Sequence, residues 1–95
     1  MSQKYCRDMT ITHKDFFRLL PRALNGLEYS QDRNEIRVIN DEKEVLIRIS
    51  DEGSRQLGIM KLPRTKVEIE LNGYITQEAE QFIYRFDLAY QKGGG

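Results

Sequence analysis

The sequence is poor in the residue types that build most recognisable chemical sites. Its 95 residues include one cysteine, one histidine, two prolines and no tryptophan. A lone cysteine cannot form an internal disulfide, which is typical of a reducing compartment. A structural zinc site needs several ligands with closely spaced thiolates. Cys6 and His13 therefore predict no metal site, and we expect no cofactor.

The chain also lacks an excess of charge and a long apolar run. Lysine plus arginine and aspartate plus glutamate each number 15. Proteins that hold nucleic acid through its phosphates are usually basic, so nucleic acid is not expected as a partner. The apolar run at residues 45–47 is among the longest, far too short to span a membrane, and no secretory signal is visible. We expect a soluble cytoplasmic protein with no membrane partner.

A catalytic constellation is missing as well. A cysteine nucleophile needs a histidine base and a third group that orients the imidazole ring, and no such group accompanies Cys6 and His13. The glycines are scattered at the ends of predicted elements instead of forming a phosphate-binding pattern. We therefore predict no catalytic residue, and an enzyme is not the favoured interpretation.

The clearest positive pattern lies in the second half of the chain. Residues 66–72 alternate charged and apolar side chains, which predicts a half-buried strand that ends at Asn72-Gly73. Thr76 then begins a helix as its cap. One apolar stripe runs along this helix at spacings of three and four: Ala79, Phe82, Ile83, Phe86, Ala89 and Tyr90. The pattern indicates a helix that packs across a sheet.

The same two periodicities predict the remaining elements. Thr12 caps a first helix with an apolar face, Pro21 kinks or interrupts it, and Asn25-Gly26 ends it. Gly58 is predicted to form a bulge and Pro63 to close a strand. Further strands are expected at residues 8–12, 35–40, 43–50 and 57–62. Residues 1–7 are predicted to be a short N-terminal arm and residues 93–95 a flexible tail.

These elements predict one α+β domain over residues 1–95. The order β-α-β-β-β-β-α gives a two-layer sandwich, in which an antiparallel meander of 4–5 strands carries two helices on one face. The outward strand positions have mixed charge: Glu35, Arg37, Glu44, Arg48, Lys66, Glu68 and Glu70. We expect a solvated sheet face with cross-strand charge pairs.

Two surface patterns are candidate binding sites. Tyr84 and Leu88 lie opposite the apolar stripe of the second helix, which predicts contact with a partner protein or a second copy. Lys14, Arg18 and Arg22 form a basic edge on the first helix. We therefore predict a non-enzymatic protein-interaction module, self-associating through helix 2 or a free sheet edge. The alternatives are a small-molecule or anion-binding domain near Pro21 and Arg22, and a weak nucleic-acid binder through the basic edge.

Overall fold

The chain forms a six-stranded antiparallel arrangement and two helices in a computed structural model, which describes residues 2–93. The strands are β1 (Ser2–Met9), β2 (Ser30–Asp32), β3 (Glu35–Asn40), β4 (Lys43–Ile49), β5 (Gly53–Leu57) and β6 (Met60–Asn72). The helices are α1 (His13–Ala23) and α2 (Thr76–Gly93). The predicted α+β class is confirmed, with the order β-α-β-β-β-β-β-α and therefore one strand more than predicted.

Both helices pack on one face of the sheet, whose strand order is β1-β6-β4-β3-β2. The alternation predicted for residues 66–72 places Val67, Ile69 and Leu71 in the core. The predicted helix stripe supplies Phe86 and Tyr90. The Tyr90 ring lies against Phe86 and stacks on Phe16 of α1, and the Tyr90 hydroxyl donates to the Phe16 carbonyl oxygen at 2.9 Å. The core therefore lies between one sheet face and both helices.

The opposite sheet face, here called the outer face, has no helix over it within the described residues. Its charges pair across the strands, as expected from the sequence. Arg48 lies 3.1 Å from Glu68 and 3.5 Å from Glu35, while Arg37 lies 3.4 Å from Glu44. Exposed ion pairs contribute little stability individually. Their main consequence is a polar surface held in a fixed arrangement by the sheet.

Residues 53–64 form a projecting hairpin in place of the strand predicted at residues 57–62. Gly58 has φ +60° and occupies the first position of a two-residue turn between Leu57 and Met60, so it reverses the chain instead of forming a bulge. Pro63 does not close a strand, because β6 continues through it to Asn72. The register places Pro63 opposite Ser54 at a position that does not hydrogen-bond to β5, so the missing N–H is tolerated.

The N-terminal arm predicted at residues 1–7 is wrong over its described part. Ser2–Met9 is a full edge strand paired with β6. Its alternation was hidden because two of the inward positions are polar. Gln3 donates to the Tyr74 carbonyl oxygen at 3.3 Å, and Arg7 donates to Asp87 at 2.9 Å. Inward polar groups with such partners can be accommodated beside a core.

The helix ends agree with the capping signals in part. Thr12 caps α1 by accepting the Asp15 backbone N–H at 3.1 Å, and the helix continues through Pro21 without restarting. It ends in two left-handed residues, Asn25 and Gly26. The predicted tail lies outside the described residues except for Gly93, where α2 ends. Neither helix in the described part of the chain is long and apolar enough to cross a membrane.

Candidate interaction surfaces

The tip of the projecting hairpin exposes a group of large apolar side chains. The relative exposure is 54% for Leu57, 101% for Ile59 and 59% for Met60. The turn is held from within, because the Gln56 side-chain amide donates to the Gly58 carbonyl oxygen at 3.0 Å. Five residues of β5 carry the tip roughly 17 Å beyond the strands that precede it. This projection accounts for the elongated dimensions of 47 × 26 × 22 Å.

Asp8 of β1 holds the base of this hairpin. Its carboxylate accepts from Arg64 at 2.6 Å and from Arg55 at 3.1 Å, one arginine from each strand of the hairpin. The Arg64 hydrogen bonds hold the pKa of Asp8 below its ordinary value. Two cations on one carboxylate restrict the direction in which the hairpin leaves the sheet.

The helix surface brings together residues from both predicted binding sites. Leu88 is half-buried and lies with Arg22, Arg85 and Ala89 around a depression of about 330 Å³ between α1 and α2. Tyr84 is 67% exposed. Tyr84 and Leu88 therefore do not form one exposed pair, and Leu88 shares its surroundings with Arg22 of the predicted basic edge.

The three residues of the basic edge differ in their ion-pair partners. Lys14, Arg18 and Arg22 are all exposed on α1, as predicted, but Arg18 is engaged by Asp15 at 3.4 Å. Arg22 forms no ion pair among the described residues, and the same holds for Arg85 of α2. Arg22 and Arg85 line the same depression, and the sequence predicted one of these two arginines as a binding residue.

A second cleft lies where the ends of the helices meet the β3–β4 turn. Lys43 donates to Glu78 at 2.6 Å and lies 5.3 Å from the centre of the Tyr74 ring. The Glu78 hydrogen bond raises the pKa of Lys43, and burial raises the pKa of Tyr74. The cleft volume is about 280 Å³. These groups satisfy one another, so the ion pair ties α2 to the sheet.

Cys6 and His13, the two residues considered for thiol chemistry, lie on different elements and have different neighbours. Cys6 is exposed on the outer face, opposite Glu68 in the register. The His13 Nε2 atom donates to the Ser50 carbonyl oxygen at 2.8 Å, so this imidazole joins α1 to the chain after β4. Residues 2–93 contain no cluster of three or more His, Cys, Asp or Glu residues that could hold a metal ion.

The hairpin tip was missed because its apolar residues were placed in one continuous strand over residues 57–62. A glycine between two short strand-like segments is a hairpin signal, but Gly58 is followed by Ile59 and not by a common turn residue. The available clue was that the alternation of apolar side chains breaks between Leu57 and Met60. A tight turn interrupts this alternation just as a bulge does.

No protein-family model, curated protein or solved structure matches the chain.

Proposed function

We propose that the protein is a non-enzymatic interaction module that associates with a second copy of itself, with the hairpin tip as its apolar contact. The observation that supports this proposal most is the exposure of Leu57, Ile59 and Met60 together at the end of a projecting element. Scattered apolar residues are common on surfaces, whereas apolar groups gathered at one site are typical of contact regions. Asp8 of β1 contacts both strands at the base of the hairpin that carries the tip.

The tip differs from the contact predicted from the sequence at Tyr84 and Leu88. Leu88 is already half-buried, so less apolar area remains on α2 for a partner to cover. Leu57, Ile59 and Met60 are each more than half exposed, so the tip offers a partner more apolar area than α2 does. Burial of one large side chain contributes about 1.5–3 kcal/mol, so three can support a weak dimer.

Replacement of Ile59 by aspartate tests this function. A charge at the tip must lose water on association, so Ile59→Asp should weaken self-association at least about tenfold in sedimentation velocity. Ile75→Asp is the matched control, because Ile75 is also exposed but lies before α2. Equal dimer formation by the native protein and Ile59→Asp would contradict a contact at the tip.

A second candidate function is the binding of an anionic ligand between the helices. Arg22 and Arg85 flank the apolar depression at Leu88, an arrangement that suits a carboxylate or phosphate attached to an apolar group. The double change Arg22→Gln and Arg85→Gln should shorten retention on heparin, whereas Lys14→Gln should change it less. Unchanged retention of the double variant would remove this candidate, including its nucleic-acid form.

A further inference from the structure

The outer face of the sheet continues without a break onto one side of the projecting hairpin. Side chains alternate along β6, and its pairing with β5 places Arg55 and Leu57 on this same side. From the tip toward the far end of β6, the continuous surface carries Met60, Leu62, Arg64, Lys66, Glu68 and Glu70. Lys61 lies on the other side of the hairpin.

Charge changes sign along this surface. Near the hairpin, Arg55, Arg64 and Lys66 outnumber the single carboxylate of Asp8. Over the central strands, two arginines face four glutamates: Arg37, Arg48, Glu35, Glu44, Glu68 and Glu70. Lys4 and Asp32 at the two margins offset each other. A protein with no net charge thus has a positive half and a negative half on one face.

From this pattern we infer that two copies pack outer face against outer face about a twofold axis that passes between Lys66 and Glu68, with their strands antiparallel. The inference rests on the self-association proposed above and names the surface that the hairpin covers. A twofold contact requires a self-complementary surface, and a linear change from positive to negative provides one when it is reversed.

The register shows what such a twofold would bring together. The axis between Lys66 and Glu68 lies near the middle of β6, which runs from Met60 to Asn72. Rotation about this axis places Lys66 of one copy over Glu68 of the second copy, and Arg64 over Glu70. It also carries the apolar tip over the far end of the second sheet. Sheets that pack face to face lie about 10 Å apart, which leaves room for these side chains.

The proposed contact is small, so we expect the two copies to associate weakly. The surface is roughly 40 Å long and two to three strands wide, so each copy would bury about 500 Å². This area lies at the low end for specific dimers. We therefore expect a concentration-dependent dimer that weakens when salt screens the charges.

Cys6 provides a direct test, because the single thiol lies beside Glu68 on the surface that the dimer covers. The initial rate of its reaction with DTNB should fall at least about fivefold per thiol as the native protein passes from monomer to dimer. Ile59→Asp, kept monomeric at the same concentration, should retain the fast rate. A dimer whose Cys6 reacts as fast as that of the monomer would overturn the inference while leaving self-association in place.

A pair of lysine variants gives an independent test of the same face. Lys66→Glu places a glutamate over Glu68 of the second copy twice in each dimer and should raise the dimer dissociation constant about tenfold. Lys61→Glu makes the same charge change on the other side of β6 and should leave that constant unchanged. Equal effects of the two variants would refute outer-face packing, and a native protein that stays monomeric would refute the proposed function as well.

Discussion

At the scale of single residues, Asp8 connects the sheet to the surface proposed for association. Its carboxylate is the common partner of Arg55 and Arg64 and lies beside Lys66 on the neighbouring strand. Because Arg64 donates to the ionised form, the pKa of Asp8 lies below its ordinary value of 3.8. A depressed carboxyl pKa contributes stability above the unfolded pKa and loses it as the pH falls through the folded value.

Replacement of Asp8 by asparagine tests this dependence of stability on pH. Asp8→Asn should be less stable than the native protein at neutral pH, and the difference should shrink as the pH falls below about 3.8. The reason is that the carboxyl becomes neutral first in the unfolded chain and then, as the pH falls through its lowered folded pKa, in the native protein as well. Urea unfolding midpoints at neutral pH and near pH 3 measure the difference. If it is the same at both, Asp8 does not stabilise the fold through its charge.

At the scale of elements, two glycines in turns have positive φ, and a comparison of them distinguishes the cost of backbone strain from the cost of steric crowding. Gly58 has φ +60° with open space where a Cβ would lie. Gly73 has φ +82°, and a Cβ there would lie 2.9 Å from the Glu42 carbonyl oxygen. Both positions strain any other residue, but only the second also requires the β3–β4 turn to move.

Alanine at each position should reveal this difference. We expect Gly58→Ala to lower the free energy of unfolding by about 1 kcal/mol and Gly73→Ala by about 2 kcal/mol or more. Urea denaturation of the two variants beside the native protein supplies both values. A Gly58→Ala variant that loses as much stability as Gly73→Ala would show that contact with Glu42 adds nothing.

The elements also show how far the sequence predicts the structure. Val67, Ile69 and Leu71 and the stripe of α2 were predicted correctly, because side chains that alternate or recur cleanly report one buried face. The strand β1 was missed because Arg7 points inward to an ion pair with Asp87, 80 residues away in the sequence. The hairpin was missed because apolar residues carry the same signal in a core and at an exposed tip. Long-range partners and exposure are properties of the folded chain.

At the scale of the whole molecule, the fold separates two surfaces of different character. The helix side carries Arg22 and Arg85 around Leu88, whereas the outer face carries a sheet of paired charges that continues onto the hairpin. Its edge strand β1 is long, but Arg7 donates to the Cys6 carbonyl oxygen at 2.8 Å and occupies part of the free edge. This contact favours association through the face over association through the edge.

Sedimentation velocity of the native protein, from about 5 µM to about 500 µM at low salt, tests self-association most directly. We expect the weight-average sedimentation coefficient to rise with concentration from that of an 11.2 kDa monomer toward that of a dimer. The rise should diminish at high salt, because screening weakens the contacts between the two halves of the outer face. A coefficient that stays at the monomer value over the whole range would contradict the proposed self-association.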